Sequence, residues 1–278
     1  SKNILNDLIE NDKIDVLIAC SQADKPVWRK KEITPTQVKI LALEKNIELI
    51  QPTKLRDEEL YNKLKSLDLD FIIVVAYWKI IPTEILETPK YWCINIHWSI
   101  LPKYRGASPI QESLKNWDEK TWLTIMYMSA WMDEWNILKI EEIPVDILDK
   151  TQDIFKKFEN IWAKVLVETL EKIIKNEITS IKQNNDEATY CSKILKTDWE
   201  IHFKNSSSFE IYNKFRAYFT WPWIYTYYKW KKFEITDCYF DNHEVNFDED
   251  FMIWDVVEIW NDDEMEIWVL CKKWTLIL

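Results

Sequence analysis

A single glycine, Gly106, serves a chain of 278 residues that also carries seventeen tryptophans, and this limits how the backbone can turn. Proteins ordinarily place glycine at about 7% of positions, because tight turns and close approaches need backbone angles that a Cβ resists. Here tryptophan stands at such places: Trp28 in PVWRKK, Trp92 ahead of a buried strand, Trp131 and Trp135 in SAWMDEWN, Trp230 in YYKWKK and Trp260 in EIWNDD. Selection for exposed aromatic rings would have no reason to choose turn positions. We therefore read every tryptophan except Trp221, whose T-W-P setting suits an aromatic, as a glycine position, for instance a glycine-coding UGA codon translated as tryptophan. The alternative is a truly tryptophan-rich protein with aromatic loops.

Composition narrows the class. A hydrophobic content of 47% fills a core, and the length suits one large domain and a smaller one. No run approaches the roughly eighteen uncharged apolar residues of a membrane span. The opening SKNILNDLIENDK has neither a basic nor an apolar leader region, so a cytoplasmic protein with no membrane partner is expected. Cys20, Cys93, Cys191, Cys238 and Cys271 are scattered and never form C-x-x-C; neither a disulfide framework nor a metal site is expected. A formal net charge of -11 excludes non-specific coating of nucleic acid, which scales with the cations reaching phosphate. Any RNA contact must be local.

Along the first two-thirds, helical and buried-strand patterns alternate. Residues 1–11 set Ile4, Leu5, Leu8 and Ile9 on one helical face, and Ile14–Cys20 follows as a short apolar strand. Helical periods recur over 36–45 and 55–67, a strand over 47–50, and FIIVVAY (71–77) has the unbroken apolar character of a doubly covered parallel strand. A strand at 93–96, a helix near 108–116, a strand at 123–128 and a long helix over roughly 151–176 complete the series. This alternation predicts an α/β fold with a doubly wound, mostly parallel sheet. ITSIKQNNDEATY has no sustained period and reads as a linker. SSSFEIYNKFRAYF is an amphipathic helix with a serine cap, and the short β-rich runs after it predict a small β-barrel. The expected domains are 1–177, a linker at 178–196, and 197–278.

The densest chemical signal is INIHWSILPKYRGASPI, residues 94–110. Asn95 and His97 lie two apart at a strand end, so both project from one face into the crevice where α/β sheets bind ligands. An amide can hydrogen-bond the oxyanion of a tetrahedral intermediate, and an imidazole can move protons or add to that stabilisation. Asp133, in a loop after another strand, can pair with His97 or take the proton of an attacking amine. Taken singly, each has a plain structural reading: a strand-end histidine capping a turn, an asparagine satisfying backbone, an aspartate in a turn.

The segment Ile94-Asn95-Ile96-His97-Trp98-Ser99-Ile100-Leu101-Pro102, with Arg105-Gly106-Ala107-Ser108-Pro109-Ile110 after it, resembles the I-N-x-H-x-S-L-L-P and R-G-A-x-P-I motifs of the formyltransferases that use 10-formyl-tetrahydrofolate. Met132-Asp133-Glu134-Trp135 is similar to the family's L-D-x-G element. The resemblance is strongest to the branch that acts on methionyl-tRNA and runs along nearly the whole chain. It implies a Rossmann-like catalytic domain followed by an OB-like barrel, and a monomer without metal. It also implies a triad of Asn95, His97 and Asp133, with the donor 10-formyltetrahydrofolate lying along VAYWKIIP (75–82) and the loop before Asp133. Lys79, Ile80, Ile81, Ser99, Leu101 and Pro102 are the expected donor contacts. Trp78, Trp98, Trp131 and Trp135 stand at family glycines, and an indole at position 98 is expected to crowd the substrate space. The family's opening strand and its G-T-P-x-F loop do not appear ahead of the first helix.

Two features point to initiator methionyl-tRNA as acceptor: the basic loop Arg29-Lys30-Lys31 after Asp24-Lys25-Pro26, and the appended β-domain with Arg216 and Lys229, Lys231 and Lys232. A mobile basic loop suits phosphates and an unpaired end, and a barrel can supply an RNA-tracking surface. Solvated charge would look the same. Formylation of an amino sugar or other small amine remains open at this level, as does an inactive RNA-binding relative if the tryptophans are real.

Overall fold

The computed structural model describes residues 2–27, 32–77, 79–129, 133–219, 223–228, 230–241, 256–261, 264–271 and 275–277. It divides into two compact units: residues 1–105, 122–142 and 157–188, and residues 106–121, 143–156 and 189–278.

The first unit opens on α1 (Lys2–Ile9), whose Ile4 and Leu8 are buried one turn apart. Strand β1 (Ile18–Cys20) pairs in parallel with β4 (Glu48–Ile50). Between them come an antiparallel hairpin, β2 (Lys25–Val27) with β3 (Glu32–Thr34), and α2 (Gln37–Glu44), started by Thr36, whose hydroxyl accepts from the Lys39 N–H. Helix α3 (Glu58–Ser66) is capped by Asp57, which accepts from the Glu59 and Leu60 N–H groups. Strand β5 (Ile72–Val75), the short α4 (Thr83–Leu86) and β6 (Cys93–His97) follow, with β5 and β6 parallel. Strand β7 (Arg105–Gly106) and α5 (Pro109–Lys115), the latter part of the second unit, come next in the chain; β8 (Lys120–Tyr127) then pairs antiparallel with β6, and β9 (Ile137–Pro144) completes the order β5-β6-β8-β9.

The four-stranded sheet is therefore mixed, with β5–β6 parallel and β6–β8 antiparallel, and β1–β4 is a separate parallel pair. Sequence patterns predict β8 but not its antiparallel sense, which follows from long-range register. The helix expected over 151–176 is two helices, α6 (Thr151–Glu159) and α7 (Trp162–Ile174). They part at Asn160, a residue type that competes poorly for the helical state.

β1 and β5 are each the edge of their sheet, and both line an apolar cavity of about 750 Å³ together with Ile4, Leu8 and Leu170. The two sheets are separate here.

The second unit contains β10 (Tyr190–Cys191) and α8 (Ser208–Ala217), the latter started by a reciprocal Ser207–Glu210 capping box. A hairpin of β11 (Tyr225–Tyr228) and β12 (Lys231–Glu234) precedes four strands, β13 (Tyr239–Asp241), β14 (Val256–Asn261), β15 (Glu264–Leu270) and β16 (Thr275–Ile277). These form an antiparallel sheet in the order β13-β16-β15-β14. Phe209 and Tyr212 of α8 pack on Phe240 of β13, with ring centroids 5.1 and 5.2 Å apart. No described helix is long and apolar enough to cross a membrane.

The lone glycine sits where only glycine fits: Gly106 has φ +118°, and a Cβ there would run into the Cys191 carbonyl. Trp92, Trp117 and Trp230 also adopt left-handed backbone, at φ +78°, +60° and +66°. Trp260 does not mark a turn; it lies inside β14 opposite Met265. Trp28 and Trp131 fall outside the described residues. Trp230 closes a two-residue hairpin, with Tyr228 and Lys231 paired on either side, a setting that favours glycine. Its side chain is 98% exposed and packs on little. Left-handed backbone costs a Cβ-bearing residue about 1–2 kcal/mol, and glycine loses about 0.5–1 kcal/mol in chain entropy. Trp230→Gly should stabilise the protein by roughly 0.5–1 kcal/mol, read as a higher denaturation midpoint in urea.

Candidate active site

Strand β6, CINIH, is built to present two polar groups from a buried position. Ile94 and Ile96 turn into the core at 0% and 2% exposure, and alternation sends Asn95 and His97 to the opposite face, roughly 6–7 Å apart along the strand. Asn95 sits in register between Val74 of β5 and Met126 of β8. His97 lies one residue past the last β5–β6 pair, Val75 with Ile96, and faces Thr124 on β8. It is thus at the carboxyl end of the parallel pair, where α/β folds bind ligands.

The turn after β6 folds back onto the histidine. Ser99 Oγ donates to the Lys103 carbonyl at 2.7 Å, Lys103 N–H donates to Ile100 O at 2.8 Å, and the Leu101–Pro102 peptide is cis. Thr124 Oγ1 donates to Ser99 O and ties the turn to β8. These contacts bring the Tyr104 carbonyl to 3.0 Å from His97 Nε2. A carbonyl only accepts, so Nε2 carries a hydrogen and donates to it. Nδ1 then faces Asp133, whose Oδ2 lies 3.7 Å away, close enough for electrostatic coupling and long for a direct hydrogen bond.

Both groups flanking the imidazole hang on left-handed backbone, Tyr104 at φ +59° and Asp133 at φ +53°. Such residues persist where surrounding structure over-determines them. Among the described residues nothing hydrogen-bonds the Asn95 side-chain amide. Cys93, on the same strand, is no nucleophile: burial pushes its thiol up to about 12. Burial likewise lifts the Tyr77 phenol to about 12 and keeps it protonated.

The expected donor contacts divide. Lys79 reaches back to donate to the carbonyls of Pro52 and Thr53 at 2.9 and 3.0 Å. Ile80 is exposed, whereas Ile81 belongs to the core with Leu64, Val74 and Leu86. Ser99 and Leu101 are buried, the first bonded as above and the second packed on Met126 and Ile137. Their side chains serve the protein, which leaves backbone for any ligand. Pro102 is partly exposed. Trp98 does not stand free over the histidine; its ring packs edge to face on buried Phe158, with centroids 4.6 Å apart. Trp78 and residues 130–132 lie outside the described residues, as do Arg29, Lys30 and Lys31.

Arg216 requires correction as an RNA contact. It is 1% exposed, donates to Asn213 Oδ1 at 2.8 Å and to the Asp146 and Leu114 carbonyls at 3.2 Å, and lies over the Trp117 ring. Burial draws its pKa down. The amphipathic pattern of α8 shows that the helix has an inner face, but a lone arginine in it does not reveal which way it points.

Sequence reading also missed Gln183. Sitting in the stretch read as linker, it is 6% exposed and reaches the backbone on both sides of Glu134. No periodicity marks it.

Set against known proteins, residues 1–170 match the model for formyl transferases and residues 193–278 match the model for the formyl transferase C-terminal domain. The chain belongs to the formyl transferase family. Among its relatives, the methionyl-tRNA formyltransferase of Caldicellulosiruptor saccharolyticus is 43% identical, over 84% of this chain and 74% of that one. That of Mesoplasma florum is 38% identical, over 87% and 77%. In fold, this formyl transferase is similar to WlaRD, described as a sugar 3N-formyl transferase in the presence of dTDP and 5-N-formyl-THF. The TM-score is 0.66 and the identity 21%, over 99% of this chain and 92% of that one.

Proposed function

We propose that this formyl transferase moves the formyl group of 10-formyltetrahydrofolate to the α-amino group of methionyl initiator tRNA, with Asn95, His97 and Asp133 as its catalytic groups. The observation that carries the reading is the pairing of His97 with Asp133 beside an Asn95 amide that no described residue engages, in a chain whose relatives include methionyl-tRNA formyltransferases at 43% and 38% identity. The amine attacks the formyl carbon, and the carbonyl oxygen gains charge as a tetrahedral centre forms. Asn95 donates to that oxygen, and His97, whose Nε2–H is held by the Tyr104 carbonyl, adds to the stabilisation through Nδ1 when that nitrogen carries a proton. Asp133 accepts the proton that the attacking nitrogen must lose. Collapse breaks the carbon–N10 bond, and the proton taken by Asp133 passes to N10, which leaves as tetrahydrofolate. Lys79, Ile80, Ile81, Ser99, Leu101 and Pro102 border the donor, chiefly through backbone.

The domain reading assigns 1–177 to catalysis, 178–196 to a connection and 197–278 to tRNA binding; the separate family matches at either end support it. Arg29, Lys30 and Lys31 meet the acceptor stem. We read the protein as a cytoplasmic monomer that uses no metal.

The test is steady-state formylation of charged initiator tRNA. Arg29→Ala with Lys31→Ala should raise KM for the tRNA at least about tenfold, since a hydrogen bond to a charged group is worth about 1.5–3 kcal/mol. KM for the donor should hold. An unchanged tRNA KM removes this loop from the acceptor site, and absence of formylation by the unaltered protein rejects the reaction.

A further inference from the structure

We propose that residues 180–185 form a strap that holds the Asp133 loop in its working geometry, and that Gln183 is a positioning residue for formyl transfer. This rests on the assignment of Asp133 to catalysis.

The strap runs antiparallel to the start of β9. Ile181 and Ile137 exchange both backbone hydrogen bonds at 2.8 Å, and Asn136 Nδ2 donates to Ser180 Oγ at 3.0 Å. Gln183 then turns inward. Its Nε2 donates to Asp133 O at 2.8 Å and to Trp135 O at 2.6 Å. One amide nitrogen thus gathers the carbonyls on either side of Glu134, which curls the loop and fixes the left-handed backbone of Asp133.

Arg105 sets the orientation of that amide. Its Nε and Nη2 donate to Gln183 Oε1 at 3.1 and 2.7 Å, and Nη2 also reaches Asn185 Oδ1 at 2.8 Å. Arg105 Nη1 lies 3.6 Å from Glu134 Oε1. The guanidinium is fully buried. A flipped Gln183 amide would set N–H against guanidinium and oxygen against two carbonyls, so a single arrangement survives. The result is a chain from the Arg105 motif through Gln183 to the backbone of the residue facing His97. Such support lets a carboxylate stay near an imidazole that it does not bond directly.

Gln183→Glu separates positioning from folding. Glutamate keeps the length and an oxygen for Arg105, and loses the donor to the two carbonyls. It should lower kcat about 100-fold, the scale of a misplacement of about 1 Å, with KM for donor and tRNA unchanged. Because Gln183 acts through Asp133, the same substitution in an Asp133→Asn background should cost almost nothing further in kcat. Gln183→Met, which removes both halves of the amide, serves as the second variant and should behave alike where it folds.

Wild-type kcat in Gln183→Glu overturns the strap. An impaired Asp133→Asn enzyme in which Gln183→Glu costs the same factor as in the parent overturns the strap alone and leaves the catalytic assignment standing. Wild-type kcat in Asp133→Asn overturns that assignment and the strap with it.

Discussion

Replacing His97 with alanine should lower kcat for formyl transfer by about 10²–10⁴-fold and leave a folded protein. The side chain is 5% exposed at a strand end, and the bond it loses is the one from Nε2 to Tyr104 O. An unsatisfied buried carbonyl costs about 1–3 kcal/mol, below the 5–15 kcal/mol of a typical domain. Backbone pairing of His97 with Thr124 does not depend on the ring. The catalytic loss is larger because the same ring is held between a carbonyl and a carboxylate at the sheet's carboxyl edge. Circular dichroism and a thermal melt establish folding, and single-turnover assays read the chemistry. Near-normal turnover would show that the imidazole has only a structural role.

Asn95→Ala should cost about 3 kcal/mol of transition-state stabilisation, seen as a fall of roughly 10²–10³ in kcat, the usual worth of one oxyanion donor. Stability should hardly change. No described residue hydrogen-bonds the Asn95 side chain, and the flanking strands are tied to its backbone. The contrast with His97 is useful: one substitution removes a side chain with an internal partner, the other a side chain with none among the described residues. A loss confined to KM for the donor would make Asn95 a binding residue.

Much of this was legible from local pattern. The alternation of Ile94 and Ile96 with Asn95 and His97 fixes which groups leave the core, and the serine cap read in SSSFEIYNKFRAYF marks a helix start that the structure reproduces at Ser207. Asp133 was readable because a short motif accompanies it. What stayed hidden depends on contacts distant in sequence. The antiparallel sense of β8 comes from its register with β6, and the burial of Arg216 comes from carbonyls 70 and 102 residues away. Gln183 looks like any polar residue of a connecting stretch until Arg105, 78 positions earlier, is placed against it. Trp260 misled because a tryptophan before Asn-Asp looks like a turn, whereas cross-strand pairing with Met265 carries the strand through it.

Single-turnover transfer from a labelled formyl donor to methionyl initiator tRNA, run on the Asn95→Ala/His97→Ala double variant beside each single variant, probes most directly whether two groups serve one developing oxyanion. Shared duty predicts a double variant hardly slower than the worse of the singles, since either loss already dismantles the unit. Losses that multiply in full would mean that the amide and the imidazole act at separate places.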